Sequence, residues 1–312
     1  MKAISTVYFT DKQKTEIEEL GYNLIMTDEQ ITNSVCVNDA EVLICYNPFR
    51  TLDIGKMPKL KWIQLTSIGI DQVPKGQIEE RKIALTNNKG GYSIPMGEWI
   101  VLKMLEVYKN SFSFYKQQEN KKWEMRKDVY ELFNKKILFI GTGTIAKEAA
   151  KRLSGFQVNI CGVNTTGRKV EHFRECFKMG KLKEVIKEAD VIVITIPYTE
   201  KTHHLVNAEL LDLMKKNSVL INVSRGNIVD EVALLDSLNK DHFLGVALDV
   251  FEEEPLPKKS ALWDFKRVLI TPHNSWMSEM RNERRYSTIY ENMKRYADGS
   301  ELINSVDLSK GY

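Results

Sequence analysis

Short apolar runs alternate with longer amphipathic ones along nearly the whole chain. In the first third, "AISTVYF", "AEVLICYN", "LKWIQLT" and "KIALTNN" have the length and apolar character of strands. Segments between them, such as "KQKTEIEEL", carry helix or turn patterns. Near residue 95 the pattern changes. Pro95 breaks the chain, and a long helix follows in which Ile100, Val101, Met104, Leu105 and Tyr108 recur at helical spacing. A second alternating series starts at 136, with "KILFIGTG", "FQVNICGVN", "ADVIVITIP", "NSVLINVS", "HFLGVALDV" and "RVLITPHN" as strands and 278–298 as a closing helix. Two α/β series separated by a long helix predict two doubly wound parallel-sheet domains. A ligand is then expected at the strand C-termini, in the cleft between them.

Composition changes this picture little. A chain of 312 residues exceeds what one core usually fills, in keeping with two domains. The net charge of +3, from 45 basic and 42 acidic residues, gives no broad footprint for nucleic acid or an anionic membrane. No stretch has the length of an apolar membrane span, and "MKAISTVYFTDKQK" becomes charged too early for a secretory signal. Cys36, Cys45, Cys161 and Cys176 are scattered, with no C-x-x-C pair. That spacing fits a reducing cytoplasm and suggests neither disulfides nor a zinc or other metal site.

Candidate chemistry begins at "ILFIGTGTIAKEAAKRL", residues 137–153. A buried-strand pattern runs into Gly141, Thr142, Gly143 and then a helix, the context a phosphate-cradling turn requires. Gly141 permits the tight turn, Gly143 lets backbone approach a pyrophosphate, and the helix N-terminus faces its charge. Ala146 stands in the third small position. The plain alternative is an ordinary strand-to-helix turn. Past the next strand, the slot where an acid normally takes the ribose hydroxyls holds Asn164, followed by Thr165, Thr166 and Arg168. Asparagine does not repel a 2′-phosphate, and a guanidinium suits one, so the loop points to NADP over NAD. Against this stands a solvent loop whose charge carries no meaning.

Three downstream stretches, "LINVSRGNIVDEVAL", "GVALDVFEEEPLP" and "ITPHNSW", each begin as an apolar strand and end in a polar cluster. They deliver Arg225, Glu254 and His273 toward one sheet edge. Singly, these could be a surface ion pair, a solvated carboxylate and a turn cap. Together they suit reduction of a 2-keto acid, which needs a hydride at carbon and a proton at oxygen. Histidine titrates near working pH, and a neighbouring carboxylate favours its protonated form. Arginine matches a planar carboxylate with two parallel hydrogen bonds.

With "GTGTIAKEAAKRL", the long run 189–238 through "NVSRG", "GVALDVFEEEPLP" and "TPHNSW", the chain resembles the D-isomer-specific 2-hydroxyacid dehydrogenase family. The match covers 98–276 and continues more loosely through "LTSIGIDQV" and "TNNKGGYSIPMGEW". The resemblance implies a Rossmann cofactor domain, 98–276, inserted in a flavodoxin-like substrate domain, 1–97 and 277–312. It implies His273 as general acid/base, Glu254 as its carboxylate partner and Arg225 as the substrate anchor. The cofactor would be held by Gly141, Gly143, Thr144, Ile145, Asn164, Thr165, Arg168, Pro197, Thr202, Val223 and Asp249, the last at the nicotinamide carboxamide. The substrate carboxylate would meet Ser67, Ile68 and Gly69, with Tyr92 and Trp276 bordering the pocket; Met96 and Arg281 are further candidates. Two departures stand out. Asn164 replaces the acidic ribose binder, and Thr144 stands where many relatives carry a basic residue near the pyrophosphate. A homodimer in the cytoplasm is implied as well. A nucleotide-sensing module, like the related corepressors, is the alternative on the same fold. A dehydrogenase of formate or phosphite is the third reading.

Overall fold

The computed structural model describes residues 1–30 and 37–311, so Cys36 lies outside the described residues. The chain divides into two compact units, Met1–Tyr92 with Ser278–Tyr312, and Ser93–Met277. The first division falls five residues before the expected 97/98, because helix Ser93–Tyr108 goes whole with the second unit. Pro95 lies in the first turn of that helix rather than ahead of it. A proline is tolerated there, since the N–H it lacks has no intrahelical partner.

The first unit is built on a five-stranded sheet of β1 (Lys2–Ser5), β2 (Asn23–Met26), β3 (Val42–Cys45), β4 (Trp62–Leu65) and β5 (Ala84–Thr86). All pairs are parallel, in the order β2-β1-β3-β4-β5. Register aligns Ile4 with Leu43, Leu43 with Ile63, and Ile63 with Leu85, and these four share one core. Their neighbours Ala3, Val42 and Trp62 point to the opposite core, where Tyr286, Ile289 and Met293 of helix Arg281–Asp298 pack. The period of two thus loads both faces, as a parallel sheet requires. Burying each large aliphatic side chain contributes about 1.5–3 kcal/mol relative to leaving it exposed.

The second unit carries β6 (Lys136–Ile140), β7 (Asn159–Asn164), β8 (Glu175–Lys178), β9 (Val191–Ile194), β10 (Ser218–Asn222), β11 (Phe243–Leu248) and β12 (Val268–Ile270). The order is β12-β11-β10-β9-β6-β7-β8, again all parallel. Both sheets confirm the doubly wound parallel class. Strand order reverses at β6, where β7 lies on one side and β9 on the other, which is the switch point at which ligands bind such sheets. Register also makes the strands end together. Ile140 pairs with Ile194, Ile194 with Asn222, Asn222 with Leu248 and Leu248 with Ile270. The residues that follow, Gly141, Thr195, Val223, Asp249 and Thr271, therefore leave the sheet along one edge. Among the described residues no helix is long and apolar enough to cross a membrane.

Candidate active site

The glycine turn has the geometry its sequence suggests. Gly141 sits at φ +100°, and a Cβ there would lie 2.8 Å from Ile196 Cγ2 and 2.9 Å from Ile196 N. Only glycine meets both the left-handed backbone and that close approach. Gly143 begins helix Thr144–Leu153 without a side-chain cap, and the first turn holds no acid. A Cβ on Gly143 would meet nothing within 4 Å. Open N–H groups with space before them fit a pyrophosphate. Ala146 is fully buried, as a third small residue should be. Thr144 and Ile145 are half-buried at the same helix start.

Asn164 ends β7, and its amide is already occupied. Its Oδ1 accepts from the N–H groups of Thr166 at 3.2 Å, Gly167 at 2.7 Å and Arg168 at 3.1 Å. Its Nδ2 donates to Thr142 Oγ1 at 3.2 Å and Arg168 O at 3.0 Å. Asn164 thus winds the 164–168 turn and presents Thr165 and Arg168 at the surface. Pro197 is exposed, and Thr202 closes the turn after it, its hydroxyl donating to Pro197 O at 2.9 Å. Val223 is buried at the end of β10.

The acidic and basic groups come together in the second unit. His273 Nδ1 lies 2.7 Å from Glu254 Oε2, with both side chains 36% exposed and so open to a reactant. Among the described residues His273 Nε2 makes no hydrogen bond. Glu254 Oε1 accepts from Phe251 N–H at 3.0 Å, which folds the 251–254 loop onto its own carboxylate. Burial alone would raise the Glu254 carboxyl. The hydrogen bonds from His273 and Phe251, with the charges of His273 and Arg225, outweigh it and hold the carboxyl below its usual range. Glu254 therefore binds its proton less tightly folded than unfolded. The pair stabilises the protein above about pH 4.3, and that contribution fades as pH falls through the lower folded value. Glu254→Gln is expected to flatten the fall of Tm between about pH 5 and pH 3, which scanning calorimetry checks.

His273 adopts φ +49°, a left-handed conformation uncommon for a side-chain-bearing residue and frequent at functional positions. The surroundings fix it. Its N–H donates to Asp249 O at 2.8 Å, and Trp276 Nε1 donates to its carbonyl at 2.7 Å. Asp249 is fully buried, and its carboxylate accepts from Thr271 Oγ1 at 2.6 Å, Asn274 N at 3.0 Å and Ser275 N at 3.0 Å. This carboxylate braces the loop that carries His273, a task the sequence did not disclose. Arg225 is placed by Asn222, whose Nδ2 donates to Arg225 O at 2.9 Å and whose Oδ1 accepts from Ser224 N at 3.0 Å. Ser224 Oγ donates to Ile196 O, tying the β10 loop to the β9 loop. Gly226 touches backbone: a Cβ there would stand 1.8 Å from Phe251 C. The loops of Arg225 and Glu254 are thus in direct main-chain contact.

In the first unit, Ser67, Ile68 and Gly69 form a pinned loop. Ser67 Oγ donates to Gly69 O at 2.8 Å, and Asn87 Nδ2 donates to Ile68 O at 2.9 Å. Tyr92 is buried, with its hydroxyl donating to Thr66 O at 2.5 Å, so it supports this loop from behind. Asn222, Gly226 and the bracing role of Asp249 were missed in the sequence. The available signals were a polar residue at the end of an apolar strand and a glycine directly after the arginine.

Comparison with known proteins bears on the family and the fold. A family model described as "D-isomer specific 2-hydroxyacid dehydrogenase, NAD binding domain" matches residues 101–275. The chain is similar to a protein named glyoxylate reductase from Thermofilum pendens, 32% identical over 251 residues, 78% of this chain and 74% of that protein. It is also similar to D-3-phosphoglycerate dehydrogenase from Methanocaldococcus jannaschii, 30% identical over 94% of this chain but only 56% of that longer protein. A crystal structure of a D-isomer specific 2-hydroxyacid dehydrogenase family protein from Aeromonas salmonicida superposes with a TM-score of 0.83 at 27% identity, covering 98% of each chain. Two all-parallel sheets, a phosphate-fitting turn and a matching family model over more than half the chain lead to one conclusion: this chain belongs to the D-isomer-specific 2-hydroxyacid dehydrogenase family, the NAD(P)-dependent oxidoreductases of 2-hydroxy acids.

Proposed function

We propose that the protein interconverts a 2-keto acid and a D-2-hydroxy acid, with His273 as acid/base, Glu254 as its partner and Arg225 as the carboxylate anchor. The observation that carries this reading is the 2.7 Å contact between His273 Nδ1 and Glu254 Oε2, which leaves the opposite ring nitrogen available for proton transfer. A bound nicotinamide nucleotide supplies the hydride. In reduction, Nε2 gives its proton to the carbonyl oxygen as negative charge develops there. Glu254 holds the ring through Nδ1 and so orients Nε2 for the transfer. The Arg225 fork suits the substrate carboxylate, which it would hold in a fixed plane. Proton transfer of this kind contributes about 10²–10⁴-fold to rate.

For the nucleotide, Gly141, Gly143 and the open helix start would hold the pyrophosphate, with Asp249 near the carboxamide through whatever its three loop bonds leave. We read the 164–168 turn as favouring NADP(H). Its acceptor atom serves its own backbone, and its exposed side chains include Arg168 and no acid. Arg168→Ala is expected to raise KM for NADPH about tenfold, the worth of one charge-assisted hydrogen bond of about 1.4 kcal/mol, with KM for NADH little changed. Equal effects on both nucleotides would remove the argument from this loop. We place the protein in the cytoplasm as a homodimer, on the family resemblance and on its scattered thiols.

The test of the function is nucleotide oxidation, followed at 340 nm, over glyoxylate, hydroxypyruvate and branched 2-keto acids with NADPH and with NADH. Turnover on at least one acid is expected. Nucleotide binding without turnover anywhere on the panel would favour the sensing module instead.

A further inference from the structure

Helix Arg281–Asp298 opens with three arginines within five residues, Arg281, Arg284 and Arg285. Its apolar face is sunk in the core of the first unit through Tyr286, Ile289 and Met293. Arg281 and Arg285 stand one turn apart, so they share one side of the helix. Arg285 is partly buried, against the hydroxyl of Tyr92 and beside the guanidinium of Arg281. Burial pushes its pKa down; contact with Tyr92 opposes this, and the like charge of Arg281 adds to it. Its Nη2 donates to Asn282 Oδ1 at 3.1 Å. Among the described residues no carboxylate pairs with Arg285. Farther along the same helix the ordinary arrangement is found, Arg295 Nε lying 2.6 Å from Glu291 Oε1.

This basic pair is tied to the 67–69 loop. Tyr92, which meets Arg285 on one side, donates its hydroxyl proton to Thr66 O at 2.5 Å. Asn88 donates its N–H to Ser67 O at 2.8 Å. The Asn88 side chain is fully buried beside the Tyr92 hydroxyl. The loop, the tyrosine, the amide and both arginines belong to the first unit. A partly desolvated guanidinium beside a second one, with no carboxylate of its own, costs free energy unless an anion answers it.

We propose that Arg281 and Arg285, with Tyr92, recognise a second anionic group at the far end of the 2-keto acid whose C1 carboxylate meets the 67–69 loop. This rests on the reading given under Proposed function and adds the substrate class to it. Two guanidinium forks suit a distal carboxylate or a distal phosphate, and a lysine reproduces only part of that grip.

The experiment compares kcat/KM for 2-oxoglutarate, with a second carboxylate, and phosphohydroxypyruvate, with a phosphate, against 2-oxobutyrate and 2-oxoisovalerate, which have neither. The wild-type protein is expected to favour one of the dianionic acids at least tenfold, and the favoured arm tells which group is read. Arg285→Gln is expected to lower that preference at least tenfold, Arg285→Lys to lower it less, and Arg281→Gln to act in the same direction. A wild-type preference for the monoanionic acids overturns the proposal while leaving the 2-keto acid reading intact. So does an Arg285→Gln variant that loses rate equally on all four, since that is a structural effect. Failure of the wild-type protein on every 2-keto acid instead overturns the underlying reading, and the substrate class falls with it.

Discussion

Replacing His273 by asparagine is expected to lower the rate of 2-keto acid reduction by about 10²–10⁴-fold while nucleotide affinity stays near the parent value. Asparagine is the informative choice because the position sits at φ +49°, and asparagine enters the left-handed region more readily than most residues. The backbone bonds from His273 N–H to Asp249 O and from Trp276 Nε1 to the residue's carbonyl can then persist. What disappears is an ionisable ring beside Glu254. Steady-state rates with a 2-keto acid, set against a fluorescence titration with the nucleotide, separate proton transfer from binding. A variant that turns over at the parent rate would show that the acid lies elsewhere.

The second large effect is expected at Gly226. Alanine there would place its Cβ 1.8 Å from Phe251 C, 2.0 Å from Phe251 O and 2.3 Å from Glu252 N. All three are main-chain atoms, so no side-chain rotation relieves the clash. The loop of Arg225 must separate from the loop of Glu254 or the chain must strain. Overpacking of this kind costs about 1–3 kcal/mol, or several degrees of Tm in a protein of this size. The larger loss is in geometry: a displacement of about 1 Å among reacting groups costs on the order of 10²-fold in rate. Gly226→Ala is therefore expected to reduce kcat/KM about 10²-fold, beyond what its Tm explains at a temperature well below unfolding. Parent kinetics in this variant would mean that the contact between the two loops does not position the anchor.

Much of the fold was legible because parallel strands covered on both faces are written as apolar runs. The strands that escaped notice are β2, "NLIM", and β8, "ECFK". Each lies at an outer edge of its sheet and is only partly buried, so neither forms a clear apolar run. Arg225, Glu254 and His273 could be singled out because each follows an apolar strand in a polar cluster. Their supports could not. The bracing by Asp249 depends on β11 and β12 ending side by side, and the Gly226 contact depends on β10 and β11 doing the same. Such pairings are properties of register between distant segments, which local pattern does not contain. Asn164 shows the same limit from another side. Its identity suggested a hydrogen-bonding group for a ribose, but only the folded loop shows that its oxygen serves three backbone donors.

That arrangement has a thermodynamic consequence. The hairpin of chain around the Asn164 carbonyl is wound before any guest arrives, so docking against it carries little of the ordering entropy that a floppy segment would impose. Discrimination between one guest and another then falls to the groups on its outer rim, which can be exchanged without unwinding what lies beneath.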